Sequence, residues 1–327
     1  MRDDLKQSIL SRVAEDLVAI ETALSENLRP YLELVSDIAR HILFSGGKRL
    51  RPLLMVISAR LCGYAGRDTH KFATIFEYLH AATLLHDDLV DGAAIRRGRP
   101  VAHAIWDNSS AVLVGDFLLA RSLTIAAETG RPRIIRVIAE ITENMSQGEI
   151  HQLLRKGDID LTEAEYREVI RRKTAVLFDG ACRSSAILAD VAQAQESALG
   201  AYGLNLGLAF QMADDLLDYT ADSATLGKPV GADLREGKLT LPIIHALQNA
   251  GDGNRKRIRR IVRDKDFSPS EFKTLVDLLD YCGSLDFTRG KAAEHIRQAK
   301  QALAIFDPCP ARELLLDIAD YALARKI

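Results

Sequence analysis

Two aspartate clusters of identical spacing are the residues of this chain best suited to chemistry: Asp87-Asp88-Leu89-Val90-Asp91 and Asp214-Asp215-Leu216-Leu217-Asp218. Each lies in an apolar stretch with helical spacing, Phe76 to Val90 in the first case and Leu204 to Leu217 in the second. On a helix, residues four apart stand one above the other. Asp87 with Asp91, and Asp214 with Asp218, are therefore expected to form carboxylate pairs that each point one way. Like charges so placed repel by about a few tenths of a kcal/mol. Building such a pair twice in apolar surroundings implies that a cation is meant to sit between the carboxylates. Hard divalent ions with oxygen ligands suit the role, and Mg²⁺ characteristically takes one or two carboxylates and substrate phosphates.

Cations accompany both clusters. Gly46-Gly47-Lys48-Arg49-Leu50-Arg51-Pro52 reads as a flexible turn entering a helix, with three cations close together. Arginine forks and helix starts both favour phosphate. Arg96-Arg97-Gly98-Arg99-Pro100 follows the first aspartates. Lys173-Thr174 follows Arg171-Arg172 on a helix. Gly227-Lys228-Pro229 and Asp233-Leu234-Arg235-Glu236-Gly237-Lys238 follow the second aspartates. Two phosphate grips and two metal faces fit either two phosphorylated substrates or one such substrate held by several metal ions.

The elements that must position these groups read almost wholly as helix. Apolar residues recur at spacings of three and four from Leu5 to Leu34, Leu50 to Leu61, Phe72 to Leu89, Ser110 to Ala127, Ile134 to Leu154, Thr162 to Leu188, Ala192 to Tyr219, Leu241 to Gln248 and Ala292 to Lys326. Period-two alternation is hard to find. Gly251 to Ser270, with the basic run Arg255 to Arg260, reads as a gap and a solvated face. No Pro/Gly/Ser linker divides the 327 residues, so the expectation is a single all-α domain over 1–327, a large helical bundle around a central cavity.

Composition narrows the function further. A net charge of −2 with 27% charged residues argues against a nucleic-acid partner, which calls for a basic excess. Cys62, Cys182, Cys282 and Cys309 are dispersed without a CxxC pair, which argues against a zinc site or disulfide framework and fits a reducing, cytoplasmic setting. The N-terminal stretch carries acids and is not read as a signal peptide, and no continuous apolar run is read as a membrane span. Glu77-Tyr78-Leu79-His80 spells the ExxH of a di-iron bundle, but a second ExxH is not found.

The strings GGKRLRP, EYLHAATLLHDDLVDGAAIRRGRP, VLVGDFLLARS, KT and GLAFQMADDLLDY…GKPVGADLREGKLTLP, in this order from Gly46 to Pro242, resemble the trans-isoprenyl diphosphate synthases of the polyprenyl synthetase family. EYLHAATLLHDD is most similar to the long-chain members, which implies an octaprenyl-like product and an isoprenoid-synthase type of bundle. The resemblance implies that Lys48, Arg51, His80 and Arg97 bind the diphosphate of isopentenyl diphosphate, and that Arg96 contacts the allylic diphosphate. It implies that Asp87, Asp91 and Asp214 hold Mg²⁺, three ions with the allylic diphosphate bound, with Asp88, Asp215 and Asp218 nearby. Lys173, Thr174, Gln211, Lys228 and Lys238 would surround the allylic diphosphate and nascent carbocation. It further implies a homodimer, and at most peripheral membrane contact for release of a product destined for quinone side chains.

Product length has its own residues. One turn before Asp87 stand Ala82 and Thr83, both small, where an aromatic side chain would block a growing tail. The tail is then expected to pass Leu79, Phe76 and Phe72. Alternatives are a shorter-chain farnesyl or geranylgeranyl diphosphate synthase, a class I terpene cyclase, or a regulatory subunit. The intact second DDLLD argues against the cyclase, and retention of both motifs argues against the subunit.

Overall fold

The computed structural model describes residues 2–220, 231–264 and 266–324. Among these the fold is all-α: α1 (Arg2–Leu28), α2 (Glu33–Leu43), α3 (Leu50–Leu61), α4 (Thr69–Val90), α5 (Ala102–Ile105), α6 (Asn108–Glu128), α7 (Pro132–Leu154), α8 (Glu163–Ile170), α9 (Val176–Leu188) and α10 (Gln193–Thr220). Then follow α11 (Ala232–Arg235), α12 (Leu241–Asn249), α13 (Asp252–Arg263), α14 (Pro269–Tyr281), α15 (Ser284–Ala302) and α16 (Pro310–Ala324). The described strands are β1 (Ile95–Arg96) and β2 (Arg99–Pro100), a minimal antiparallel hairpin. Where one long helix was expected from Leu5 to Leu34, the chain breaks after Leu28. Arg29 adopts φ 43° and Pro30 follows; the residue before a proline is driven away from helical geometry.

The chain divides into two compact units, Met1–Thr142 with Leu177–Gly203 and Ala302–Ile318, and Glu143–Val176 with Leu204–Gln301 and Ala319–Ile327. In the first, α4 is the hub and packs against α1, α3 and α6. Every residue from Phe72 to Leu79 is buried, so the helix is enclosed on all sides and shows no polar face there. The buried Tyr78 donates its hydroxyl to the Leu24 carbonyl at 2.7 Å, tying α4 to α1. α6 is long and apolar enough to cross a membrane by length and composition, with a mean hydropathy of 1.5. It packs along α4 while Val112, Leu113 and Leu123 remain exposed.

The second unit is held by α8, α12, α13 and α14 around Tyr166, Leu241, Ile244, Phe267, Phe272 and Leu275. Here α13 corrects the sequence reading, which left Gly251 to Ser270 without structure. Ile258, Ile261 and Val262 recur at helical spacing and are buried, while the basic residues between them conceal the pattern.

Replacing Tyr78 by Phe removes this buried hydrogen bond between α4 and α1. This should lower stability by about 1–2 kcal/mol, read as a shift in the urea midpoint at constant m-value.

Candidate active site

In the first unit the aspartates fall at the end of α4. Asp87 is half-buried in the last turn and Asp91 is the C-cap, its N–H still bonded to the Asp87 carbonyl at 2.8 Å. The last turn carries no basic residue. Carboxylates at a helix C-terminus face the negative end of the macrodipole, each unfavourable by about 0.3–1 kcal/mol when exposed. Asp88 points elsewhere: it is buried and accepts from Arg96 Nε at 2.7 Å. Burial pushes its carboxyl upward, against the pull of Arg96. Its position between Asp87 and Asp91 thus serves to hold Arg96 at the same helix end.

Arginines converge beside this end. The half-buried imidazole of His80, two turns before Asp87, lies in the field of Arg51, Arg97, Arg96 and Arg49. Burial first, and then these four cations, depress its pKa well below the ordinary value, so His80 is neutral at pH 7. Lys48 is exposed. Arg51 stacks over Phe178 with its guanidinium 4.9 Å from the ring centre. Arg97 sits in the hairpin turn at φ 51°, followed by Gly98 at φ 75°, and burial weakens its hold on the proton. Both central turn residues are left-handed, the geometry that closes a two-residue hairpin. Of the residues expected at isopentenyl diphosphate, Arg51 and Arg97 thus lie in the field around His80, as does Arg96, which was expected at the allylic diphosphate.

Arg49, Glu77 and Glu21 form an ion cluster that no spacing in the sequence links. Arg49 is 4% exposed and donates to Glu77 Oε1 at 2.7 Å, to Glu21 Oε1 at 2.6 Å and to the Leu43 carbonyl at 2.6 Å. The one available signal was the ExxH, which placed a glutamate one turn from His80 without showing its partner.

The second unit holds a cavity of about 140 Å³ walled by Lys173, Thr174, Gln211, Asp215 and Lys238, together with Arg155, Lys156, Tyr166 and Asp233. Lys173 and Thr174 lie in a π-helical turn, Arg171–Ala175, that joins α8 to α9. Such turns are rare, and many mark functional sites. Gly148 of α7 lets that turn approach; a Cβ there would come within 2.8 Å of the Lys173 amide nitrogen. Lys173 pairs with Glu149, and Lys238 Nζ lies 2.6 Å from Glu236. Thr174 donates to Gln211 Oε1 at 3.0 Å, Gln211 Nε2 donates to Asp215 Oδ1 at 2.8 Å, and Tyr166 donates to Asp215 Oδ2 at 2.6 Å. Burial, with the neighbouring Asp233 charge, raises Asp215 to about 7. Its carboxylate is committed to orienting Gln211.

Asp218 departs from expectation. Asp214 is exposed, but Asp218 is fully buried and accepts from the backbone N–H groups of Ala232 and Asp233 at 3.2 and 3.1 Å. The two carboxylates do not form an open pair, and Asp218 anchors α11. Lys228 lies outside the described residues. On α4, Phe76, Leu79 and Ala82 are buried in the core, whereas Thr83 is half-buried on the face of His80 and Asp87. Among the described residues no three carboxylate, imidazole or thiol groups converge on one point. Asp87 and Asp91, one turn apart at the end of α4, offer oxygen donors of the kind that suit a hard cation completing its shell with phosphate and water.

The polyprenyl synthetase family model matches residues 32–279. The chain belongs to the polyprenyl synthetase family. It is similar to the octaprenyl diphosphate synthase of Escherichia coli strain K12, 38% identical over 319 residues covering 98% of each chain. It is also similar to the all-trans-nonaprenyl-diphosphate synthase (geranyl-diphosphate specific) of Rhodobacter capsulatus, 38% identical over 99% of each. A solved polyprenyl synthase from Caulobacter crescentus CB15, complexed with calcium and isoprenyl diphosphate, superposes with a TM-score of 0.92 at 39% identity, covering 98% of this chain and 97% of that one. The family assignment makes this polyprenyl synthetase an enzyme, a prenyltransferase of isoprenoid biosynthesis with the helical isoprenoid-synthase fold.

Because folding depresses the pKa of His80, the unfolded chain binds the extra proton between pH 6.5 and the folded value. Stability is therefore expected to fall as pH drops below about 6.5, with a slope of at most about 1.4 kcal/mol per pH unit from this group. His80→Asn should flatten that part of the profile in urea titrations at pH 5 to 7.

Proposed function

We propose that the chain condenses isopentenyl diphosphate with an allylic diphosphate to build a long all-trans polyprenyl diphosphate, octaprenyl-like in length, for quinone side chains. The observation that carries this reading is the set of arginines around a neutral His80, joined through Arg96 and Asp88 to the helix end that bears Asp87 and Asp91. A diphosphate anion suits such a group of arginines, and a divalent cation suits the neighbouring carboxylates. Similarity to synthases of octaprenyl and nonaprenyl chains, and the small Ala82 and Thr83, support the long product.

In this reading Lys48, Arg51, His80 and Arg97 hold the five-carbon substrate. Asp87, Asp91 and Asp214 would hold Mg²⁺, three ions with the allylic diphosphate bound, which would supply positive charge against the leaving diphosphate. The calcium and isoprenyl diphosphate in the Caulobacter relative support a divalent metal and a diphosphate ligand. Lys173, Lys238 and Lys228 stabilise the same negative charge as the allylic C–O bond breaks. Thr174 and Gln211 turn oxygen atoms, held in place by Asp215 and Tyr166, toward the allylic cation. The double bond of isopentenyl diphosphate supplies the electron pair for the new C–C bond, and the proton lost from the adjacent carbon goes to the released diphosphate. Apolar walls keep water from the cation.

We further propose a homodimer that covers Val112, Leu113 and Leu123 of α6, and a cytoplasmic enzyme acting as one domain over 1–327, since the family match spans residues of both units. Product release uses peripheral contact of the Lys256, Arg259, Arg260 and Arg263 face of α13 with anionic lipid.

Pure protein given Mg²⁺, labelled isopentenyl diphosphate and an allylic primer should yield polyprenyl diphosphates of about eight five-carbon units, sized by chromatography after dephosphorylation; failure to elongate any primer sinks the reading. Chelation of Mg²⁺, or Asp87→Ala, should cut turnover by about 10²–10³-fold or more. Ala82→Tyr should shorten the product while leaving the first condensation intact, and unchanged chain length would refute the proposed path of the tail.

A further inference from the structure

Four arginines gathered near one imidazole repel one another, and a buried counter-charge relieves that repulsion. Arg49 and Arg97 both lie against Gly47: a Cβ on that glycine would sit 3.2 Å from Arg49 Nη1 and 3.3 Å from Arg97 Nη1. Two guanidinium groups that share this neighbourhood repel each other, and the cost falls on Arg49, which is buried, more than on the exposed Arg97. Glu77 is the buried group that answers them. Its side chain is 8% exposed, it binds Arg49 Nη1 at 2.7 Å, and its charge is the leading attraction felt by Arg97. Glu21 contributes from the other side but is 42% exposed and shares its charge with water. Arg49 itself is the N-cap of α3 and holds φ 48°, a left-handed conformation that its buried guanidinium keeps in place. Lys48, immediately before this anchored position, and Arg51, two residues after it, are the cations assigned above to the diphosphate.

We propose that Glu77 and Arg49 form a positioning pair for the isopentenyl diphosphate grip. Paired with Arg49, Glu77 supplies the buried negative charge that lets Arg97 stand beside Arg49 near His80 before substrate arrives. Neither residue of the pair touches the reacting atoms. This rests on the reading of the arginine cluster as the five-carbon diphosphate site, and it predicts a selective effect. Loss of the pair weakens the grip on isopentenyl diphosphate and leaves the allylic diphosphate untouched, because Lys173, Thr174 and Gln211 depend on a separate network in the other unit.

Removing one member of a buried ion pair strands the other, whereas replacing both with apolar residues of similar volume is often tolerated. The double variant Arg49→Met/Glu77→Leu is therefore the informative one, with Glu77→Asp as the conservative companion that keeps the charge but shortens its reach. For the double variant the KM for isopentenyl diphosphate should rise about tenfold or more, with the KM for the allylic primer and the melting temperature little changed. Glu77→Asp should move the same constant in the same direction by less, and calorimetric titration of isopentenyl diphosphate alone should show the same loss. Unchanged KM for isopentenyl diphosphate in a folded double variant would overturn the proposal, as would an equal rise in both KM values. If the double variant does not fold, the Glu77→Asp result decides by the same criterion. A wild-type protein that elongates no primer would instead overturn the functional reading beneath it.

Discussion

The organising constraint of this protein is electrostatic: helices end in carboxylates where the backbone already points its carbonyl dipoles. Both α4 and α10 carry acidic clusters in or near their last turns without a basic residue there to offset them. Such ends raise the free energy of the isolated chain and lower it once a multivalent cation and its anion arrive. The surrounding structure distributes that tension unevenly. Asp88 is paired with Arg96, and Asp218 accepts from backbone N–H groups, while Asp87, Asp91 and Asp214 keep surface contact. Identical DDxxD spacing thus conceals two different divisions of labour.

Anion recognition obeys the complementary constraint. Cations grouped tightly enough to grip a diphosphate repel one another, and an imidazole among them is forced neutral. A buried glutamate absorbs part of that repulsion without competing for the ligand, because it is covered by the arginine it binds. In the second unit the polar groups are arranged differently, as a chain from Tyr166 through Asp215 and Gln211 to Thr174 that fixes which way the carboxamide faces.

Much of this was legible in the sequence wherever the information is local. The helical spacing around Phe76 to Asp91, the glycine-flanked arginines and the order of the motifs all depend on neighbours within a few residues. What escaped depends on partners far along the chain. Glu77 meets Arg49 across a turn and two helices, and Tyr166 meets Asp215 across much of the second unit. Nothing in the spacing of Asp214 and Asp218 tells which one a later segment will cover. The helix at Asp252–Arg263 was hidden for a different reason: three buried apolar residues carry its pattern, and the surrounding cations dominate any composition-based reading.

The hairpin at Arg96–Arg99 has a kinetic consequence. Reversing the chain in two residues, with Arg97 and Gly98 both left-handed, freezes the arginine side of the grip when the protein folds. A floppy loop would have to surrender its disorder each time a small diphosphate docked. A polymerising enzyme meets that same small ligand once per added unit, so any per-cycle ordering penalty would recur throughout synthesis of a single chain. A stiff clip settles that entropy once, during folding, and leaves every later round of addition to start from the same prepared surface.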